Sequence, residues 1–290
     1  VRSVTFAALQ FACSWNRAET LDTAEYWIRQ AAAAGAQVVL PQELFETPYF
    51  CSVQHPRFLE LAHPLAGHPT VLRMGAIARE LGVVIPVSVY ERAGTVSFNT
   101  TVVLDADGRE AGVYRKSHIP QNPGYEEKYY FSPGDTGFRA IDTAYGRLGL
   151  GICWDQWFPE TARALVLDGA EFLLYPTAIG SEPSDPTYDS MPHWQTVMRG
   201  HAAANLVPVI ASNRIGSETE AQTTIHFYGS SFIAGPTGEI VQSANRTDAG
   251  LLTASFDLDA VRALRTTWGV FRDRRPDLYS ALTRLDGRAP

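Results

Sequence analysis

The stretch Arg147-Leu148-Gly149-Leu150-Gly151-Ile152-Cys153-Trp154-Asp155-Gln156-Trp157-Phe158-Pro159-Glu160 passes from a strand, through a cysteine, into a helix. Leu148, Leu150 and Ile152 supply apolar strand residues, and Pro159 sits near the first turn of a helical pattern ending at Leu167. Gly149 and Gly151 allow backbone or substrate to approach the strand closely. The same alternation continues in both directions. Upstream, Val4 to Phe11 reads as a strand and Thr20 to Ala34 as a helix closed by Gly35. Gln37 to Leu40 reads as a short buried strand, Thr70 to Leu81 as a helix closed by Gly82, and Val83 to Tyr90 as a strand. Val96 to Leu104 and Glu110 to Lys116 form a hairpin through Asp105-Ala106-Asp107-Gly108. Downstream, Phe172 to Tyr175, Val207 to Ser212, Ser230 to Ala234, Glu239 to Gln242 and Leu251 to Phe256 read as strands, and His193 to Asn205 as a helix. No linker or composition shift divides the chain, so one α/β domain over residues 1–290 is expected, with mixed sheets covered by helices. Reactive groups in such folds gather at the carboxyl ends of strands. Glu43, Lys116 and Cys153 stand there.

The composition, 45% hydrophobic and 19% charged, is that of a chain that builds its own core. A net charge of -7 argues against a nucleic-acid partner, which calls for a basic patch. Cys13, Cys51 and Cys153 are too few and too scattered for a disulfide framework, which suggests a reducing compartment. The N-terminal residues enter a strand pattern without a signal-like apolar run, and no segment approaches the roughly 20 apolar residues that cross a bilayer. A cytoplasmic protein with no membrane partner and a small-molecule substrate is the expectation.

Cys153, at a strand end before a helix, is placed to feel the helix's positive end, which lowers a thiol pKa. Cys13 and Cys51 read as inert buried residues. A free thiol with a pKa of about 8.5 is only a few per cent ionised at neutral pH, so an activating base is needed. His118 lies close to Lys116, while His193 and His201 share one helix face and read as structural. No zinc-ligand pattern surrounds them, and no metal is expected. A carboxylate is the other option. Glu43 follows the buried run Val38-Val39-Leu40-Pro41, where desolvation and a neighbouring thiol would raise its pKa. Spacing alone leaves open that Glu43 and Lys116 are merely solvated strand-end residues.

Three segments resemble the motifs of the nitrilase superfamily of carbon–nitrogen hydrolases: Pro41-Gln42-Glu43-Leu44-Phe45, Tyr114-Arg115-Lys116-Ser117-His118-Ile119-Pro120 and Gly151-Ile152-Cys153-Trp154-Asp155-Gln156-Trp157-Phe158-Pro159-Glu160. Their order and separation match as well, and the likeness extends to Phe271-Arg272-Asp273-Arg274-Arg275-Pro276. Within the superfamily, Pro123 to Phe131, Tyr175 to Pro183 and Ala211-Ser212-Asn213-Arg214 resemble the branch that hydrolyses N-carbamoylputrescine. Gln121-Asn122 departs from that pattern, where an acidic–glycine pair is usual. The resemblance implies an α-β-β-α sandwich of the nitrilase type, homo-oligomers built from dimers, and no cofactor. It also implies Glu43 as general base, Lys116 as oxyanion stabiliser, Cys153 as nucleophile, and Glu127 as a further glutamate holding Lys116 or orienting the substrate.

Such a substrate carries a ureido group at one end and a primary ammonium at the other. The pocket therefore needs a carboxylate some distance from the thiol. Glu182, on the proline-stiffened loop Ser181-Glu182-Pro183-Ser184-Asp185-Pro186, is the first choice and Asp185 the second. Tyr49, Tyr125 and Trp154 are expected to line the alkyl chain and add cation–π attraction of roughly 0.5–2 kcal/mol. An N-carbamoyl amino acid would instead need a cation for its carboxylate, and Arg214 is the candidate. A binding protein retired from catalysis would have lost a member of the Glu–Lys–Cys set, and none is lost.

Overall fold

The computed structural model describes residues 1–288 and places two six-stranded sheets face to face. The first sheet is built on β1 (Ser3–Gln10), which pairs in parallel with β2 (Val38–Leu40). Bonds of Val39 N–H to Val84 O (2.9 Å) and Val84 N–H to Gln37 O (2.8 Å) carry this sheet on to β3 (Ile85–Ala93). Next come β4 (Val96–Leu104) and β5 (Glu110–Arg115), both antiparallel to their neighbours. The second sheet starts at its edge with β6 (Ile141–Thr143), then β7 (Gly146–Leu150), β8 (Phe172–Pro176) and β9 (Val209–Ser212). A separate hairpin, β10 (Ile215–Glu220) with β11 (Thr223–Tyr228), stands outside it. Two further strands complete the second sheet, β12 (Phe232–Ala234) and β13 (Ile240–Ser243), while β14 (Gly250–Asp257) returns to flank β1.

Three layers of apolar packing follow from the alternation of side chains along these strands. Phe6, Leu40, Leu148, Leu150, Phe172 and Ile210 fill the space between the sheets. The outer face of the first sheet is covered by α1 (Arg17–Ala33) and α2 (Pro69–Leu81). Helix α1 is capped by Asn16, whose side chain accepts from Glu19 N–H, and it buries Leu21, Ala24, Ile28 and Ala31 at helical spacing. The outer face of the second sheet is covered by α3 (Pro159–Leu167) and α4 (Met191–Asn205), with Trp194 wholly buried. A last helix, α5 (Leu258–Trp268), runs from an Asp257 cap. The order of layers is α-β-β-α, as expected. Among the described residues no helix is long and apolar enough to cross a membrane.

The structure adds elements that the sequence reading omits, namely β6, the β10–β11 hairpin and α5. At the end where Glu43, Lys116 and Cys153 emerge, Ser212 stitches the sheets together. Its hydroxyl donates to Leu40 O at 2.7 Å and accepts from Leu9 N–H at 3.2 Å. A fourth cluster of side chains, including Tyr49, Phe50, Tyr125, Tyr130, Phe131 and Phe227, closes this end.

Candidate active site

Glu43 follows β2 and is wholly buried. Arg214, also wholly buried, donates to the carbonyls of Glu43 (2.7 Å) and Leu44 (3.0 Å). Leu44 adopts φ 45°, a left-handed conformation that a branched side chain takes only when its surroundings enforce it. Carboxylate oxygen Oε1 of Glu43 accepts from Lys116 Nζ at 2.8 Å and from Asn99 Nδ2 at 2.7 Å. Its other oxygen, Oε2, is buried and has no partner within the protein.

Lys116 follows β5, wholly buried, and its ammonium also meets Glu127 Oε2 at 2.7 Å. Burial opposes the ammonium's charge, but Glu127 and Glu43 together hold its pKa well above the ordinary lysine value. Glu127 lies in a short turn and takes the Tyr49 hydroxyl on its other oxygen at 2.7 Å. Burial, opposed by Lys116 and reinforced by the Glu43 charge, pushes its carboxyl up to about 7. Both oxygens of Glu127 are thus occupied, whereas Glu43 keeps one free.

Cys153 opens the turn Cys153–Trp157 with φ 42° and is almost fully buried. Its thiol lies 3.7 Å from Ala178 O. Burial pushes the thiol well above its ordinary pKa, the Glu43 charge adds to the shift, and Lys116 works against it. The expected lowering by a helix terminus is therefore overturned. Helix α3 begins only at Pro159, and desolvation outweighs whatever its distant end supplies. The N–H groups of Cys153 and Trp154 precede the first bond of the turn, Asp155 N–H to Ile152 O, so the turn itself gives them no acceptor. The close approach expected at Gly151 is that of the Tyr175 ring, which a Cβ would meet at 2.6 Å.

Asp155, unremarked in the sequence, joins the Cys153 turn to the Lys116 segment. Its wholly buried carboxylate accepts from Ile152 N–H (2.9 Å), the Tyr114 hydroxyl (2.7 Å) and His118 N–H (3.0 Å), and pairs with His118 Nδ1 at 2.7 Å. His118 is occupied there and stacks on Phe158 at 3.7 Å. His201 Nε2 bonds Gln156 O, and His193 Nδ1 pairs with the Tyr188 hydroxyl, so both take structural contacts.

Around the thiol, the expected lining residues separate. Tyr125 is buried; its hydroxyl donates to Ser181 O (3.0 Å) and accepts from Gly180 N–H (3.1 Å), clasping the start of the loop that carries Glu182. Tyr49 packs on Tyr125 with ring centroids 5.8 Å apart, its hydroxyl already engaged by Glu127. Trp154 is partly exposed and meets Trp157 edge-on. Glu182 is half-buried, and burial raises its carboxyl pKa. Burial raises the Tyr125 and Tyr228 phenols, and the Glu182 and Cys153 charges add to both shifts. Asp185 departs from its expected role. It is exposed, and its carboxylate accepts from Thr187 N–H and the Thr187 hydroxyl, a local turn. Arg214 departs too: it is wholly buried, and its two terminal nitrogens donate to Glu43 O, Leu44 O, Thr47 O and Glu218.

A family model described as carbon–nitrogen hydrolase matches residues 5–266. Over 288 residues the chain is 58% identical to an N-carbamoylputrescine amidase of Oryza sativa subsp. japonica, covering 98% of this chain and 96% of that one. It is 48% identical to a citrullinase of Francisella tularensis subsp. tularensis, covering 97% and 99%. The crystal structure of a carbon–nitrogen hydrolase from Helicobacter pylori G27 superposes with a TM-score of 0.92 at 39% identity, covering 98% of this chain and 99% of the other.

Proposed function

Because the chain belongs to the carbon–nitrogen hydrolase family, we propose that its buried Glu43, Lys116 and Cys153 form a nucleophile–base–oxyanion set. The substrate is N-carbamoylputrescine, cleaved to putrescine, carbon dioxide and ammonia, the activity named for the relative 58% identical to this chain. The observation that carries the chemical reading is Glu43. One oxygen is tied down by two donors, the other is buried and unpartnered, and the Glu43 charge helps push the Cys153 thiol pKa up.

Glu43 Oε2 takes the thiol proton as the sulfur attacks the ureido carbon. Charge developing on the oxygen is met by the Lys116 ammonium and the Trp154 N–H, and one such donor is typically worth about 3 kcal/mol. The proton then passes from Glu43 to the departing ammonia, leaving a carbamoyl thioester. Water, deprotonated by Glu43, releases a carbamate that decomposes to amine and carbon dioxide. Glu127 holds Lys116 rather than exchanging protons with substrate, since its two oxygens are already bonded to Lys116 and Tyr49. Glu182 receives the distal ammonium, Tyr125 and Trp154 flank the alkyl chain, and Tyr49 acts through Glu127.

Citrulline is the second reading, favoured by the 48% identical citrullinase. It carries an extra carboxylate, and Arg214 is not free to bind it. The deciding experiment is ammonia release from N-carbamoylputrescine, citrulline and N-carbamoyl-β-alanine, with Cys153→Ala as the blank. A faster turnover of citrulline would displace the first reading. The proposal extends to a cytoplasmic homo-oligomer built from dimers. Exposed Leu167 and Leu282, which line one cleft with Val270 and Tyr279, support pairing, and light scattering that returns a 31.8 kDa particle would exclude it.

A further inference from the structure

We infer that Asn99 is a positioning residue that sets both the base and the oxyanion lysine; the inference rests on Glu43 acting as the base. Asn99 lies on β4, opposite Tyr90 in register, and is wholly buried. Its backbone carbonyl accepts Lys116 N–H at 2.8 Å, and its side-chain Nδ2 donates to Glu43 Oε1 at 2.7 Å. One residue therefore fixes the main chain of the lysine and the side chain of the glutamate.

The second donor matters because one hydrogen bond leaves a carboxylate free to pivot. Lys116 Nζ alone would anchor Oε1 as a point charge, itself shared with Glu127. Adding Asn99 Nδ2 fixes the plane of the carboxylate and so the direction of Oε2, the oxygen without a partner. The amide orientation is determined, since turning it over would set Oδ1 against Oε1, two acceptors facing each other.

Stability would not select asparagine here. Asn is disfavoured within strands, and the same strand continues as Val102-Val103-Leu104. Asn99 Oδ1 is itself buried without a donor, a cost that an apolar residue of similar shape would avoid. The residue makes sense as a device for aiming Glu43.

Three full-length variants test this, each checked for folding by circular dichroism. Asn99→Ala is expected to lower kcat about 10- to 100-fold with KM within about threefold, because the base is misdirected while substrate contacts persist. Labelling of Cys153 by iodoacetamide, which needs no substrate, is expected to slow in proportion. Asn99→Asp keeps the shape but replaces the donor with an acceptor. It is expected to be at least as slow as Ala near neutral pH and to recover relative to the parent as pH falls, when a proton shared with Glu43 restores a donor. Asn99→Ser, whose short hydroxyl cannot replace the amide contact, is expected to behave as Ala and stands in for it if Ala does not fold. Parent-like kcat in Asp at neutral pH, or a rise in KM with kcat intact in Ala or Ser, overturns the inference. Glu43→Gln, run alongside, separates the two readings. If it stays active, the base assignment fails; if it is dead while the Asn99 variants are unaffected, only the role of Asn99 fails.

Discussion

Two residues beside the chemistry, Leu44 and Cys153, hold left-handed backbone at φ 45° and 42°. Each such conformation costs on the order of 1–3 kcal/mol and persists only where the surroundings impose it. At Leu44 the enforcing group is the buried Arg214 guanidinium; at Cys153 it is Asp155 gripping Ile152 N–H. At this turn the thiol meets Ala178 O at 3.7 Å. Burial and the Glu43 charge push that thiol's pKa up, so its proposed reactivity should run through the base. Cys153→Ala is expected to abolish ammonia release while leaving the circular dichroism spectrum unchanged. Burial raises all three thiols, and iodoacetamide is expected to modify Cys153 ahead of Cys13 and Cys51 because only Cys153 is assigned a base to take its proton. Glu43→Gln is nearly isosteric but cannot accept the proton, so it should slow both turnover, by about 10²-fold or more, and Cys153 labelling. Loss of turnover without slower labelling would assign Glu43 only to the later steps.

Short elements carry the proposed substrate contacts. Gly124, at φ 84°, sits against Pro183, whose ring carbon a Cβ at this position would meet at 2.5 Å. That contact and the Tyr125 clasp set the loop that presents Glu182. Gly124→Ala is therefore expected to displace the loop and raise KM for N-carbamoylputrescine several-fold, with kcat little changed; an unaltered KM would show that the loop is set elsewhere. Much of this framework was legible in the sequence. The Asp105 to Gly108 turn, the Gly82 stop of α2 and Pro159 at the start of α3 are local signals, and the structure obeys them. The missed hairpin lacks such signals. The β10–β11 hairpin turns at Ala221 (φ 52°) rather than at Asn-Gly, and β10 is largely polar and exposed beyond Ile215. Helix α5 does carry local signals, an Asp257 cap and a Gly269 stop, and was legible although it buries only Leu258 and Val261. Asn99 and Asp155 were hidden for another reason. Each acts through partners far along the chain, at Glu43 and at Tyr114 and His118, and no local pattern announces such a contact.

The whole molecule places the proposed reacting groups on different sheets: Glu43 and Lys116 extend from the first, and Cys153 from the second. Ser212 and Asp155 hold the two halves of the site in register, so activity reports on sheet packing as much as on any single side chain. The loop bearing Glu182 lies at the margin of this junction, tied at one end by Tyr125 and at the other by Asp189, which pairs with Arg246 at 2.6 Å. If Glu182 receives the distal ammonium, Glu182→Gln should raise KM for N-carbamoylputrescine far more than it lowers kcat, because the contact is present in ground and transition states alike. Glu182 is only half-buried, so solvent screening tempers the effect to about tenfold. The pH dependence follows from the same burial. A carboxyl whose pKa is raised is ionised above that value and neutralised as pH falls through it. Affinity for the cationic substrate should therefore weaken at a higher pH than an ordinary glutamate would dictate, appearing as a rise in KM on the acid side. That rise should vanish in the Gln variant. Butylurea, which keeps the ureido group and lacks the amine, should bind the parent poorly and show neither the acid limb nor a response to the substitution. Equal KM values for the parent and Glu182→Gln across this range would place the ammonium elsewhere.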